Sequence, residues 1–266
     1  MTDNLIFLTD AELDKSVYRI FSFSRLEEIF TEKKLTLVKP KKWDDPFENF
    51  ILNSKGVLPD GRHFEMGFRD NFYGQCWSLT RESDALWRIY SPGKEVKVNN
   101  TKTKIYDGVK VKTTIRKLFT PLFDAGGHYP KWNGTDFNVS SFVGKVKYES
   151  QKSLIEMLKD EKRMSNKIFD QSGWGQASTF FFKRAAFKHE NEVRIIFYPQ
   201  NPINSDCFKF DIDPKDLFDE IVFDPRMEDF DYEAKKAILL SWGYNKKINQ
   251  SELYKLKQFT VALRPI

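Results

Sequence analysis

A chain of 266 residues carrying 25 Phe, 10 Tyr and 6 Trp is long enough to bury a full, aromatic-rich core. Its formal charge of +5 permits a polyanionic partner without requiring one. Two cysteines far apart argue against a zinc cluster or a disulfide framework, and no run approaches the roughly 18 apolar residues of a membrane span. The acidic start lacks the basic region and long apolar stretch of a secretory leader, so a soluble, cytoplasmic protein with no membrane partner is expected.

Residues 17–22 predict a short strand. Ser24 then reads as the N-cap of a helix bearing Leu26, Ile29 and Phe30, with Glu27 and Glu28 where the helix dipole favours acids. A strand at 35–38 ends before Pro40, and 41–49 is a loop centred on Trp43-Asp-Asp-Pro-Phe-Glu48. Residues 74–80 read as a buried strand. Ser83 caps a helix through Leu86, Trp87 and Tyr90 that Ser91-Pro-Gly93 stops. Residues 95–98 and 108–112 alternate like a hairpin pair. The stretch 113–140, with turns at Gly126-Gly127 and Asn133-Gly134, is expected to be irregular and mobile. Beyond it come a strand at 144–148 and one amphipathic helix at 153–169 with a Lys-rich outer face. The segment 179–187 feeds a strand through the 190s, followed by strands at 208–212 and 220–223, a helix at 233–242 and a closing strand at 259–263. The expected class is α+β, a single domain over 1–266 with a mixed sheet, because the order lacks the regular βαβ alternation of a doubly wound fold. No Gly-x-Gly-x-x-Gly or Walker-type loop is present.

Four clusters can carry chemistry. Glu190-Asn191-Glu192 leads into a β-branched and aromatic run; if the strand is already extended at Glu190, both carboxylates share one face. Such a pair, next to His189 and Arg194, suits a site that needs fixed negative charge. Its structural explanation is charge pairing with Lys183, Lys188 or Arg194. On the first strand, Tyr18-Arg19 offers a planar cationic fork suited to phosphate or pyrophosphate, or a surface ion pair. In the 40–48 loop, Asp44, Asp45 and Glu48 fall within five residues, and Pro46 restrains Asp45. That loop either contacts a ligand or is a turn in which Asp44 or Asp45 satisfies backbone N–H groups. Ser78 and Thr80 share a strand face and can hold a ribose or amide, or simply bond nearby backbone. Downstream, Trp87 suits the core and Tyr90 is more open. The three histidines, His63, His128 and His189, have no metal-ligand spacing, and no Gly-x-Ser-x-Gly elbow supports a serine triad.

Together these blocks resemble a large bacterial and phage family of domains of unknown function. Its hallmarks are a Tyr-Arg first strand, a Pro-x-x-Phe-Asn-Asp-Pro-Phe-Glu loop, a Trp-x-x-Tyr helix and a Glu-x-Glu-x-Arg strand. Here they read Tyr18-Arg19, Pro40-Lys-Lys-Trp-Asp-Asp-Pro-Phe-Glu48, Leu86-Trp-Arg-Ile-Tyr90 and Glu190-Asn-Glu-Val-Arg194, with a further match at Phe218-Asp-Glu-Ile-Val-Phe-Asp-Pro-Arg-Met227. Trp43 and Asp44 stand where that family has Phe and Asn.

The order of an Arg strand, a Ser/Thr strand and a Glu-x-Glu strand is also similar to that of ADP-ribosyltransferases, in which a split mixed sheet grips NAD. That resemblance implies a split sheet with flanking helices, an inserted subdomain at about 113–175, and NAD as substrate. It implies that Arg19, beside Tyr18, holds the NAD phosphate or ribose, and that Ser78 with Thr80 braces the Glu strand and the nicotinamide ribose. Tyr90 would stack on nicotinamide and Asp45 would line the donor site. Glu192 would be the catalytic carboxylate and Glu190 would orient the acceptor. One carboxylate near the oxocarbenium-like ribose supplies the stabilisation known from glycoside chemistry. The implied role is a toxin of a toxin-antitoxin pair or a phage-defence effector, restrained by an antitoxin, that modifies nucleic acid (RNA, including mRNA or a single strand, or DNA) or protein. Lys152, Lys159, Lys162, Arg163 and Lys167 would supply salt-dependent phosphate contacts and the aromatics would stack unpaired bases. Two other classes stay open: a metal-dependent nuclease with Asp44, Asp45, Glu190 and Glu192 as Mg²⁺ ligands, and a non-enzymatic nucleic-acid- or protein-binding component.

Overall fold

The computed structural model describes residues 2–43, 45, 48, 50–66, 69–98, 101–126, 129–130, 136–137, 140–256, 258 and 260–264. Among them, ten strands join in one mixed sheet: β1 (Leu5–Ile6), β2 (Ser16–Ser22), β3 (Lys34–Val38), β4 (Tyr73–Ser78), β5 (Gly108–Thr114), β6 (Ser141–Lys145), β7 (Glu192–Phe197), β8 (Cys207–Asp211), β9 (Glu220–Phe223) and β10 (Lys247–Gln250). The spatial order is β1-β6-β7-β4-β2-β5-β9-β10, with β3 attached to β4 and β8 to β3. Pairing is parallel at β1–β6 and β9–β10 and antiparallel elsewhere.

The sheet is split at β4. One edge of β4 pairs with β7 along its whole length, from Tyr73↔Phe197 to Ser78↔Glu192. The other edge carries two single contacts, Val38↔Gly74 to β3 and Tyr18↔Ser78 to β2. Because β2 and β3 leave that edge at opposite ends, the backbone between them opens.

Helix α1 (Phe23–Glu32) bridges β2 and β3 and buries Phe23, Leu26, Ile29 and Phe30. Its N-cap is Ser22, whose Oγ accepts from Arg25 N at 3.4 Å; Ser24, expected as the cap, lies inside the first turn. The apolar faces of β2, β5 and β9 (Val17, Val109, Val111, Ile221, Phe223) join α1 and helix α3 (Ile115–Ala125) in the main core. Helix α2 (Asp84–Tyr90), capped by Ser83 as expected, lies near β2 and buries Leu86 and Trp87 beside Ile20 and Val222.

Several expectations are corrected. Residues 95–98 and 108–112 do not pair with each other: Lys94–Val98 pairs with Thr101–Ile105, and β5 lies between β2 and β9. Alternation identifies a strand but not its partner. The stretch expected to be irregular contains α3, capped by Thr114, with Ile115, Leu118, Phe119, Leu122 and Phe123 on one buried face. Pro121 and Gly126 obscured that period. Gly127, His128, Asn133 and Gly134 lie outside the described residues. The single helix expected at 153–169 is two, α4 (Gln151–Lys159) and α5 (Glu161–Ile168), because Asp160 leaves helical geometry and accepts from Arg163 N at 3.0 Å as an N-cap. The helix expected at 233–242 begins earlier, as α8 (Asp229–Ser241); α6 (Trp174–Ser178) and α7 (Pro214–Leu217) are short. The closing strand is β10 rather than 259–263: residues 260–263 form no strand, and Phe259 lies outside the described residues. Among the described residues, no helix is long and apolar enough to cross a membrane.

Candidate active site

The opening beside β4 holds a cavity of about 410 Å³. Along β4, Tyr73 and Trp77 join the main core while Gly74, Cys76 and Ser78 line the opening, as period-two alternation requires. A larger residue than Gly74 is disfavoured there: a Cβ would come within 2.7 Å of the Trp43 indole. Trp43 in turn lies 4.6 Å from the Arg194 guanidinium, ring centre to carbon. Trp43 thus occupies the space a side chain at 74 would take and stacks on the buried Arg194 guanidinium.

Glu190 and Glu192 meet by a route other than strand alternation. β7 begins at Glu192; Glu190 ends a short 3-10 helix, Ala185–Glu190, and Asn191 between them takes left-handed geometry at φ 46°. Both carboxylates nevertheless converge on Lys183, whose Nζ donates to Glu190 at 2.6 Å and to Glu192 at 2.7 Å. Glu48 joins the same ammonium at 2.9 Å. Arg194, fully buried, donates to Glu192 Oε2, Glu48 Oε1 and the Phe180 carbonyl at 2.7, 2.7 and 2.6 Å. The charge pairs with Lys183 and Arg194 that the sequence allowed as a structural explanation are both present.

Among the described residues, three carboxylates thus face two cations, leaving one negative charge in excess. The excess falls on Glu190: burial, then the neighbouring Glu192 carboxylate, raises its pKa to about 8. Burial alone would raise Glu192 too, but the Arg194 charge and the bonds from its neighbours outweigh it and hold that carboxyl below the usual range. Lys183 behaves inversely, since the charges of Glu192 and Glu48 overcome burial and raise it. Two further bonds lock the geometry. Ser78 Oγ donates to the Glu190 carbonyl at 2.6 Å while accepting from Thr80 N at 3.0 Å, and Glu192 N donates to the Tyr148 hydroxyl at 2.9 Å.

Arg19 stands in the cavity wall, half-buried, and among the described residues no hydrogen bond or ion pair engages its guanidinium. Burial lowers its pKa to about 10, which leaves it charged at neutral pH. Tyr18, Thr80, Tyr90 and His189 also line the cavity. Tyr90, at the end of α2, is 45 % exposed. Asp45 is buried in the same wall with Arg184 at 2.7 Å from its Oδ1.

The nuclease reading loses ground on geometry. The point where Glu48, Glu190 and Glu192 converge is filled by the Lys183 ammonium, Asp45 pairs with Arg184, and Asp44 lies outside the described residues. Among the described residues no three His, Cys, Asp or Glu side chains are arranged to hold a metal ion. The basic strip on α4 and α5 is also thinner than its sequence, because Lys167 is buried against the Ser178 hydroxyl and Lys159 pairs with Glu156.

Sequence reasoning did not single out Tyr148, named Glu48 in the acidic loop without linking it to the acid pair, and gave Lys183 only as a charge partner. The Glu192–Arg194 bond was available from i, i+2 spacing on one strand. The Arg194–Glu48 bond joins groups 146 positions apart and had no local signal.

No family model matches the chain, and no curated protein matches it, so the resemblance to the bacterial and phage domain family finds no counterpart. Among solved structures, the chain is similar over 90 % of its length to Thermus sp. 2.9 DarT in complex with NAD+, at 13 % identity over 96 % of that chain and a TM-score of 0.36. The complexes of Thermus sp. 2.9 DarT with ADP-ribosylated ssDNA and with carba-NAD+ match at TM-scores of 0.38 and 0.35, each at 13 % identity over 90 % of this chain, covering 95 % and 96 % of theirs. A likeness at that level carries no argument about activity.

Proposed function

We propose that the chain is an NAD-consuming ADP-ribosyltransferase that uses the cavity beside β4 as its donor site. The observation that carries this reading is that one cavity is lined both by the Arg19 guanidinium on β2, unengaged among the described residues, and by the buried Glu190–Glu192 cluster at the mouth of β7. A charged guanidinium with no carboxylate partner among the described residues is matched to an anionic ligand group such as a pyrophosphate.

In this reading Arg19 holds the donor phosphate or ribose, Tyr90 packs on the nicotinamide, and Ser78 keeps the Glu190 backbone against the end of β4. Breaking the nicotinamide–ribose bond releases neutral nicotinamide and leaves positive character on the ribose carbon. Glu192, held ionised, stabilises that charge. Glu190, with a pKa of about 8, is matched to taking the proton of an attacking acceptor near neutral pH. The acceptor is nucleic acid (RNA or DNA) or protein, and a toxin or phage-defence role with an antitoxin partner belongs to the same proposal.

The test is incubation of the purified chain with labelled NAD and, separately, RNA, single-stranded DNA, duplex DNA and cell protein. Wild type should label one pool, and Glu192→Gln should lower transfer by about 10²–10⁴-fold while remaining folded. Equal transfer by that variant, or neither transfer nor nicotinamide release by wild type, would overturn the reading.

A further inference from the structure

The Asp224-Pro225-Arg226 turn after β9 lies outside the donor cavity, yet it grips the helix that forms one wall of it. Arg226 donates from Nε and from NH2 to the two oxygens of Asp224, at 2.9 and 2.7 Å. The same NH2 reaches two main-chain carbonyls at the end of α2, Trp87 O at 3.2 Å and Ser91 O at 2.9 Å. Asp224, with no exposure to solvent, also accepts from Ser91 Oγ at 2.6 Å. Arg226 Cζ sits 4.1 Å over the Tyr106 ring, which closes the outer side of the guanidinium.

The backbone around the turn is built to permit this contact. Asp224 N donates to Gly108 O at 3.0 Å, and a Cβ at Gly108 would lie 2.1 Å from Ser91 Oγ. A glycine is therefore needed where β5 passes the end of α2. The cation also meets the carbonyl end of a helix, where the dipole favours positive charge. At its other end α2 is held by Ser83 and by Trp87 Nε1, which donates to Glu82 at 2.6 Å. Tyr90 lies between these two clamps, in the last turn of α2 and on the cavity wall.

We infer that Asp224 and Arg226 are positioning residues for the donor cavity, acting through α2 to fix the Tyr90 ring. The inference rests on the donor-site reading for its ligand and on the hydrogen bonds above for its mechanism. Lysine cannot replace Arg226, because one ammonium cannot hold both Asp224 oxygens and reach two carbonyls at once.

The experiment is NAD titration of the full chain as wild type, Arg226→Lys, Tyr90→Ala and the double variant. Arg226→Lys should weaken binding about tenfold, the scale of one lost aromatic contact, and should change it less than about twofold in the Tyr90→Ala background. Equal losses in both backgrounds, or none, would overturn the inference. Should Arg226→Lys melt below the assay temperature, Ser91→Ala, which removes one donor to Asp224, carries the same cycle with a smaller loss. If wild type binds no NAD, the donor reading fails, and amide exchange decides the positioning role alone. Faster exchange confined to 87–91 in Arg226→Lys supports it, and unchanged exchange there overturns it.

Discussion

Lys183→Met tests the arrangement at its centre. The ammonium it removes bridges Glu48, Glu190 and Glu192 at 2.6–2.9 Å, with all four side chains buried, and Arg194 is the one cation that remains among the described residues. Removing one partner of a buried ion pair costs about 3–5 kcal/mol. Three partners place Lys183 at the upper end, but proton uptake by Glu190, already raised to about 8, relieves part of the repulsion. The expected loss is about 4 kcal/mol, or a Tm lower by about 8 °C at ~2 °C per kcal/mol for a chain of this size. Thermal melts at pH 9, where Glu190 is ionised in wild type, on wild type, Lys183→Met, Glu190→Gln and the double variant measure it. The double variant should be more stable than additivity predicts by about 1–2 kcal/mol, because neutralising Glu190 removes one charge the lysine was offsetting. A shift below about 2 °C, or strict additivity, would show that the cluster is not coupled as the distances require.

The pH dependence of stability should carry the sign of Glu190. A folded pKa of about 8 against the ordinary 4.5 of a glutamate means the native state holds this proton more tightly, so the contribution is complete below about pH 4.5 and is lost as pH rises through about 8. The Tm of wild type relative to Glu190→Gln should therefore fall between pH 5 and 9; a constant difference would refute the assignment. Lys167, lowered by burial to about 8, acts in the opposite sense at higher pH, but it is common to both proteins and cancels. Arg19→Gln should weaken NAD binding about 10–100-fold, the worth of a charge-assisted bond, without lowering Tm, since no partner among the described residues is orphaned. Isothermal titration and melting on one preparation check both halves. Gly74→Ala places a methyl 2.7 Å from Trp43 and 2.8 Å from Ile196, so about 1–3 kcal/mol should be lost in denaturant unfolding.

What the sequence could show of this fold depended on whether the signal was local. Amphipathic periods placed α1 and α2, the latter with its cap, and β-branched or aromatic runs placed β2, β4, β7 and β9, because each is written within ten residues. Partner choice was not written that way. β5 alternates equally well beside 95–98 or beside β2, and only the main core, through Val109 and Val111, decides. The acid pair was visible for a reason that proved incomplete. Alternation along an extended strand would have sent both carboxylates to one side, whereas the left-handed Asn191 breaks the strand between them and a lysine seven and nine residues earlier gathers them again.

That difference bears on what the acids do. Two carboxylates on one face of a strand would share one set of neighbours and differ in proton affinity only through their mutual repulsion. Placed on either side of a turn, they do not: Glu192 lies between Arg194 and Lys183 and stays ionised, while Glu190 takes the uncompensated charge and is raised to about 8. Two adjacent acids with separated proton affinities are the condition for one to hold charge while the other moves a proton. The split at β4 supplies the remaining requirement. It opens one cavity lined by both these acids and the Arg19 guanidinium, unengaged among the described residues, which is what the proposed donor site asks of an anionic ligand's cradle.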